Sequence, residues 1–203
     1  MKKYLLLVLS LTAMNCKSTT EPTTTSIIMP LAVGNEWDYA EYGGIPHRLQ
    51  FYDTIKIVST KDDTTYVDQS HLYYQLRSNG LWMINNFYGR DIPKQTLLAK
   101  YPAQPGEVFG KDSQVHYISY PTVFDTIIAD VVVDSINAVV VLPIGSFTCY
   151  KYRSDYYDPK HVLRRRINDY YALNIGKIKS DDYIFDSLYS GLTSTQLEQY
   201  TLH

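Results

Sequence analysis

Apolar and polar residues alternate with a period of two in one segment after another of this 203-residue chain. In the most regular segment, Leu49, Phe51, Ile55 and Ile57 fall on one face, and Asp53 is the single break in that row. This period is typical of a strand with one buried face. Tyrosine accounts for 20 residues and recurs in doublets, which also favours the pleated, half-buried surface of a sheet.

The alternating segments are short and are separated by turn residues. Asn79-Gly80, which lies between two of them, is the clearest signal for a two-residue hairpin. No stretch of ten or more residues has the apolar spacing and capping residues of an amphipathic helix. We predict thirteen strands, at residues 36–42, 47–59, 63–69, 71–78, 81–88, 95–101, 114–119, 123–133, 136–142, 147–157, 161–171, 176–184 and 194–202.

These elements predict an all-β fold with little helix. Thirteen strands are more than one small closed barrel needs, and consecutive hairpins favour a meander. We therefore expect a strongly curved antiparallel meander sheet that forms an open or a closed barrel. A sheet bent in this way has a concave face, which is where a ligand would bind.

The N-terminal residues have the layout of an export signal. Lys2 and Lys3 precede an apolar run that extends from Tyr4 to Met14. The run is shorter than the roughly 20 residues that a helix needs to cross a bilayer. We therefore expect this segment to direct export and not to span the membrane.

Cys16 closes the apolar run and is followed at once by a polar stretch rich in Ser and Thr. The segment Thr12-Ala13-Met14-Asn15-Cys16 resembles the lipobox of bacterial lipoproteins. The resemblance implies that Cys16 is acylated, becomes the mature N-terminus and anchors the protein in a bilayer. Lys17 follows the cysteine directly, and a lysine at this position resembles the sequence of lipoproteins that are sorted to an outer membrane. The alternative is an ordinary secretory signal with an incidental cysteine.

We divide the chain into a lipoprotein signal peptide (1–15), the acylated cysteine with a flexible Ser/Thr-rich tether (16–29), and a single all-β domain (30–203). Ten tether residues would reach about 35 Å when fully extended. Without Lys2 and Lys3 the chain has 17 basic and 21 acidic residues, which gives a net charge of −4. This balance does not suit nucleic acid as a partner, because nucleic acid binds basic faces.

Three segments combine a glycine with nearby aromatic residues: Pro30–Tyr39, Val141–Lys151 and Tyr171–Ser180. The first resembles the first strand, Pro-Leu-x-Val-Gly-Asn-x-Trp-x-Tyr, of a group of uncharacterised secreted bacterial proteins and lipoproteins. The second is similar to that group's Val-Pro-x-Gly-x-Phe-x-Cys-Tyr-Lys hairpin. The third is similar to its Ala-Pro-x-x-Gly-x-Ile-Lys turn, with Leu173 where that turn usually has proline. The resemblance implies an all-β envelope domain and transfers no activity.

The sequence contains no hydrolase nucleophile motif, phosphate-binding loop or dinucleotide fingerprint. The histidines do not have the spacing of metal ligands, and they lack partner cysteines. They are His47, His71, His116, His161 and His203. We therefore predict no catalytic residues, no metal site and no cofactor.

Four local features have both a functional and a structural interpretation. The pairs Asp62-Asp63 and Asp181-Asp182 could perform acid–base chemistry, but we expect both in solvated turns. The run Arg164-Arg165-Arg166, with Arg165 on the opposite face from the other two, could bind an anionic partner. We favour an edge strand protected by charge. Cys149 could be a reactive thiol, but we expect it to be a small, space-filling buried side chain on a strand.

The anchor, the tether and the aromatic sheet favour a membrane-anchored lipoprotein of the cell envelope, at the outer membrane, that acts as a ligand-binding or interaction module. The ligand could be a lipid, a glycan or a peptide, since tyrosine combines an apolar ring with a polar hydroxyl. Two alternatives remain open. A hydrolase with converging residues requires titratable groups that meet in a pocket. A structural or assembly lipoprotein requires an exposed apolar patch or an unprotected strand edge.

Overall fold

The computed structural model describes residues 26–44, 47–85, 94–119, 123–185 and 190–203, without the side chains of 115–125 and 190. Within these ranges the chain is all-β and contains no helix, as the alternating pattern predicts. It follows that no described segment forms a helix able to cross a bilayer. Cys16 and the signal segment 1–15 lie outside the described residues.

The described residues form twelve strands. They are β1 (Glu36–Gly43), β2 (Arg48–Thr60), β3 (Thr65–Asp68), β4 (Tyr73–Arg77), β5 (Gly80–Asn85), β6 (Lys94–Lys100), β7 (Val108–Ser119), β8 (Val123–Leu142), β9 (Gly145–Tyr157), β10 (Leu163–Ala172), β11 (Gly176–Phe185) and β12 (Ser190–Thr201). The predicted strands 123–133 and 136–142 are one strand, β8, whose register with β9 shifts between Val133 and Ala138. An irregular register therefore replaces the turn that we expected there.

The strands form one antiparallel sheet with the order β6-β5-β4-β3-β2-β1-β12-β11-β10-β9-β8-β7. The sheet curves into a nearly closed barrel, and the first strand pairs with the last. The two edges, β6 and β7, are consecutive in the chain. Side chains link them, because Lys100 pairs with Glu107 and Lys94 Nζ lies 3.6 Å from Asp112 Oδ1.

Residues 27–31 close one end of the barrel, which we call the tether end. Ile28, Met29 and Leu31 are buried in the main core beside Trp37. The Trp37 indole donates a 2.6 Å hydrogen bond to the carbonyl of Ile175. The sequence pattern places residues 27–29 in the tether, whereas the structure places Ile28 and Met29 in the core, because the barrel end offers their apolar side chains a surface to cover.

Asn35 fastens the tether end to the C-terminus. It is 1% exposed, and its Nδ2 donates to the carbonyl of Pro30 at 2.9 Å. The backbone N–H of His203 donates to Asn35 Oδ1 at 2.8 Å. Both polar atoms of the amide are therefore satisfied, which a buried amide requires.

Tyrosines fill much of the interior and donate hydrogen bonds from their buried hydroxyls. Tyr39 donates to the carbonyl of Lys177 at 3.1 Å, and Tyr152 donates to the carbonyl of Lys100 at 2.6 Å. Burial raises the pKa of both phenols well above the ordinary value, so they remain protonated donors. These buried tyrosines are therefore structural side chains, each with a partner for its hydroxyl.

Candidate functional site

The interior is polar in the half of the barrel away from the tether end. Glu41 lies five residues along β1 from Glu36, which is roughly 16 Å at the usual rise of a strand. It borders a cavity of about 350 Å³, the polar cavity, whose wall includes Glu41, Arg165, Asp169, Lys177, Asp182 and Thr195. The volume is within the range of small-molecule sites.

Strand pairing places the β10 side of this wall inside the barrel. Arg165 is paired with Tyr156, and Asp169 is paired with Tyr152. Both tyrosines are buried, at 2% exposure each. Since paired residues of antiparallel strands share a face, Arg165 and Asp169 point inward.

Two ion pairs cross the wall between β10 and β11. The Arg165 guanidinium makes two hydrogen bonds to the Asp182 carboxylate, with Nε 2.8 Å from Oδ1. Lys177 Nζ lies 2.8 Å from Asp169 Oδ1. Burial opposes the charge of Lys177, but Asp169 outweighs it and raises the pKa of the amine above its usual value. These four side chains therefore form two ion pairs that hold one another in position.

A hydrogen-bonded row continues from Arg165 towards the β7 edge. Arg165 donates to Gln114 Oε1, and the amide of Gln114 donates to the Tyr156 hydroxyl at 3.0 Å. Tyr156 in turn donates to Asp112 Oδ2 at 2.7 Å. Burial would raise the pKa of Asp112, but the bonds from Tyr156 and Gln114 outweigh it and keep the pKa below its ordinary value. The carboxylate is therefore ionised at neutral pH.

Two inward carboxylates have no cation beside them. Glu41 is paired with Phe51 of β2, and Asp53 is paired with Tyr39, so both lie on the inward face of the sheet, where Glu41 is half-buried and Asp53 is exposed. Among the described residues, Glu41 has neither an ion pair nor a hydrogen bond, and Asp53 accepts one bond, from the N–H of Thr54 at 2.9 Å. An unpaired carboxylate in a partly enclosed site favours a cation or a hydrogen-bond donor from a ligand.

This arrangement suits the binding and orientation of polar groups. Titratable side chains do meet in the cavity, as the hydrolase alternative requires, but Arg165 and Lys177 are engaged by Asp182 and Asp169. Glu41 gives the cavity one negative charge in excess. The cavity therefore offers fixed donors, fixed acceptors and an uncompensated carboxylate.

The two carboxylate pairs that the sequence offers for acid–base chemistry lie in different kinds of structure. Asp62 lies in a turn, as expected, and accepts backbone bonds from Thr64 at 2.9 Å and Thr65 at 2.7 Å. The prediction of a turn at Asp181-Asp182 is wrong, because both residues lie within β11. They face opposite sides of the sheet, so they do not act on one substrate together.

The prediction that Arg164-Arg165-Arg166 lies on an edge strand is also wrong, because β10 pairs with β9 on one side and β11 on the other. The expected alternation is confirmed. Arg165 points inward to Asp182, while Arg164 and Arg166 bind Asp158 and Asp155 on the other face. The run therefore serves three separate ion pairs.

Cys149 is fully buried in the main core, as expected for a small structural side chain on a strand. Burial raises the pKa of its thiol to about 11, so the reactive thiolate is scarce at neutral pH. The side chain of His116 is outside the described residues. Within the described part of the chain, no three His, Cys, Asp or Glu side chains could hold a metal ion together.

A second concavity, of about 530 Å³, lies on the outer face of β8 and β9. Its charged residues already have ion-pair partners. Lys111 lies 3.7 Å from Asp130, and Arg153 lies 3.4 Å from Asp155. We therefore favour the polar cavity as the binding site, because it has a carboxylate that still lacks a partner.

Sequence reasoning did not identify Glu41, Asp112 or Asp182 as neighbours in one site. One signal was present: Asp53 interrupts an otherwise apolar inward row, which is unusual for a strand that only packs a core. The other contributors come from β7, β10 and β11. Their meeting depends on the strand order, which a single sequence does not specify.

Comparisons with known proteins give the fold a precedent. No family model matches the chain, and no curated protein matches it. A solved structure from Bacteroides fragilis, described as an exported protein with a YmcC-like fold, matches with a TM-score of 0.55 at 14% identity, over 87% of this chain and 100% of the other. A protein described as a lipoprotein, from Parabacteroides distasonis, matches with a TM-score of 0.51 at 12% identity, over 87% and 99%. The chain is therefore similar in fold to these two bacterial structures.

Proposed function

We propose that this protein is an envelope lipoprotein, anchored at the outer membrane by acyl chains on Cys16, whose barrel binds a polar ligand in the polar cavity. The observation that carries the proposal is the inward carboxylate of Glu41, which borders the cavity without a partner among the described residues. A ligand that donates a hydrogen bond or carries a cation would satisfy it.

The anchor is supported by the lipobox-like segment and by the structural neighbours. Those neighbours are described as an exported protein and a lipoprotein. The described chain begins at Ser26, ten residues after Cys16, and enters the barrel at the tether end. A tether that reaches the barrel there leaves the polar cavity in the half that faces away from the lipid.

The cavity favours a glycan or a peptide over a lipid. The interior near the tether end is packed with apolar and tyrosine side chains, and the apolar pocket beside Ile28 and Tyr101 measures only about 220 Å³. The polar cavity is larger and is lined mainly by charged and hydroxyl groups. Apolar ligands gain little in such surroundings, because polar groups would lose water without new partners.

The anchor is tested by extracting the protein from its native membrane with a mild detergent and measuring the mass of the N-terminal peptide. We expect a mature chain that starts at Cys16 and carries acyl groups. The Cys16→Ala variant should leave the membrane fraction. A mature wild-type chain without acyl groups would contradict the anchor and leave the barrel site untouched.

The site is tested by mass spectrometry of the intact, folded protein after the same extraction. We expect wild type to retain a small polar adduct, and Glu41→Gln to lose most of it. Asp63→Asn removes the same charge from an exposed turn and should keep the adduct. Equal retention by Glu41→Gln and wild type would exclude the cavity as the binding site.

A second candidate function, partner binding by an assembly lipoprotein, is favoured by one specific observation. Part of β2 extends beyond β3, and no other described strand pairs with that part, which gives the sheet a third edge besides those of β6 and β7. An unprotected edge is a template for another strand.

A further inference from the structure

The free edge belongs to the first part of β2. β3 pairs with β2 only between Ile57 and Thr60, whereas β1 pairs with β2 from Lys56 back to Arg48. Among the described strands, residues 48–54 of β2 therefore have a neighbour on one side only. We call this segment the β2 edge.

The side chain of Gln69 marks where the pairing stops. Its Oε1 accepts the N–H of Lys56 at 2.6 Å, and its Nε2 donates to the carbonyl of Thr54. The amide of Gln69 thus occupies the position that a peptide group of a longer β3 would have. Thr54 directs its own N–H to the carboxylate of Asp53.

Tyr52 exposes the next backbone groups along the edge. In an antiparallel sheet, alternate residues direct both N–H and C=O to the same side. Lys56 directs both groups away from β1 to Gln69, and Thr54 directs its C=O there, so the backbone groups of Tyr52 lie on the same side. No described residue pairs with β2 beyond Gln69 on that side.

Exposed aromatic side chains accompany these free backbone groups. Tyr52 is 69% exposed on the outer face, and Phe51 is 51% exposed although it faces inward. A register shift after Glu41 pairs Tyr42 with Leu49, so Leu49 leaves the inward row that the alternation predicts. The edge therefore presents Phe51 and Asp53, both exposed, on the same face as their partners Glu41 and Tyr39.

We propose that the β2 edge binds an extended peptide by strand addition, with a basic side chain of the peptide directed to Asp53 and Glu41. The proposal rests on the proposed function, since it names a peptide as the ligand of the same barrel. Strand addition supplies backbone bonds for affinity, and the alternate inward side chains supply specificity.

The geometry sets the pattern of the peptide. With antiparallel addition, the residue opposite Tyr52 pairs through its backbone, and its neighbours lie opposite Asp53 and Phe51. A basic residue therefore precedes, by two positions, an apolar residue that covers Phe51. Asp53 and Glu41 lack cationic partners among the described residues, so the basic side chain would compensate two carboxylates.

The probe is the blocked, fluorescently labelled peptide Ser-Thr-Lys-Thr-Val-Thr-Ser, titrated into the mature acylated protein in mild detergent. Two matched peptides serve as controls: one has an N-methyl group on the central threonine, and the other has glutamate in place of lysine. We expect each control to bind at least about tenfold more weakly, because it removes a backbone bond or reverses the charge.

Two protein variants test the edge itself. Tyr52→Pro removes the free N–H and should weaken binding at least about tenfold, whereas Tyr52→Thr keeps the N–H and should bind within about threefold of wild type. Hydrogen exchange of residues 48–54 should slow when the peptide is bound. If Tyr52→Pro fails to fold, the N-methylated peptide still decides the question with wild-type protein.

Equal binding of the N-methylated and unmodified peptides would overturn strand addition. Equal binding of the lysine and glutamate peptides would overturn the role of Asp53 and Glu41. If no peptide binds while Glu41→Gln still removes a retained adduct, the peptide proposal fails and the polar cavity keeps its proposed function.

Discussion

Asp134 illustrates how single charged residues stabilise the outer face of the sheet. Lys151 Nζ lies 2.7 Å from its Oδ2, and Arg153 Nη1 lies 2.9 Å from its Oδ1. The hydrogen bond from Lys151 is the largest influence, and together with Arg153 it lowers the pKa of Asp134 below the ordinary value. The folded state therefore binds the proton less tightly than the unfolded chain does.

This difference predicts an acid-dependent stability. The contribution of Asp134 is complete above the unfolded pKa of about 3.9 and is lost as the pH falls through the lower folded value. Asp134→Asn should lower the free energy of unfolding at pH 7 by about 1 kcal/mol and reduce its fall below pH 4. Urea unfolding at several pH values measures both effects.

The control for this prediction is Asp130→Asn. Asp130 lies 3.7 Å from Lys111, and both side chains are more than half exposed. Its replacement should change the free energy of unfolding by less than about 0.5 kcal/mol. An equal effect of the two variants would show that the Lys151 and Arg153 contacts do not stabilise the fold.

At the scale of elements, the turn of the β4–β5 hairpin lies one residue before the Asn79-Gly80 position that the sequence predicts. The hairpin exists, but Arg77 pairs with Gly80, so the turn residues are Ser78 and Asn79. Gly80 is the first residue of β5 and has φ of 134°. A Cβ there would lie 2.1 Å from the carbonyl oxygen of Ala99 on β6. The glycine is required by a neighbouring strand that local sequence does not reveal.

Gly80→Ala should therefore destabilise the protein by roughly 3 kcal/mol, since backbone of β6 must move to make room. Gly106→Ala is the control. Gly106 also has a positive φ, of 85°, but a Cβ there meets no atom within 4 Å, so the cost should be about 1 kcal/mol. Thermal or urea unfolding compares them. Similar costs for the two variants would exclude the contact with Ala99 as the cause.

Two other hairpins share a turn that the sequence analysis did not recognise. Asp68 and Asp158 each accept a bond at Oδ1 from the N–H four residues later, at 2.8 and 2.9 Å. The third residue after each aspartate is a histidine with positive φ, His71 at 62° and His161 at 59°. The common pattern Asp-x-x-His followed by Leu or Val was visible in the sequence. The pattern indicates that His71 and His161 are turn residues.

At the scale of the whole molecule, period-two alternation was sufficient for the fold class because every described element is a strand. It did not predict which strands would be neighbours, since alternation carries no information about pairing partners. The polar cavity depends on that pairing, so Asp53 stood out only as an exception in its row, Asp182 only as a member of an acidic pair, and Glu41 not at all. The prediction of a turn at Asp181-Asp182 is wrong because pairing of β11 with β10 and β12 outweighs the local preference of aspartate for turns.

The burial of residues 27–31 predicts that the tether end belongs to the cooperative fold. Ile28 is 1% exposed in the core, so Ile28→Ala should lower the free energy of unfolding by about 3 kcal/mol. Val33→Ala, at a position that is 52% exposed, should change it by less than about 0.5 kcal/mol. Urea unfolding of both variants tests this. A small effect at Ile28 would mean that the segment packs loosely on a barrel that is stable without it.

The pairing of β1 with β12 brings residues 36–42 beside residues 194–201. A chain made from its N-terminus exposes the first of these segments long before the second has been synthesised. The barrel therefore cannot be complete until residues 194–201 have been synthesised. A chain that lacked Ser190–Thr201 would leave β1 paired with β2 alone.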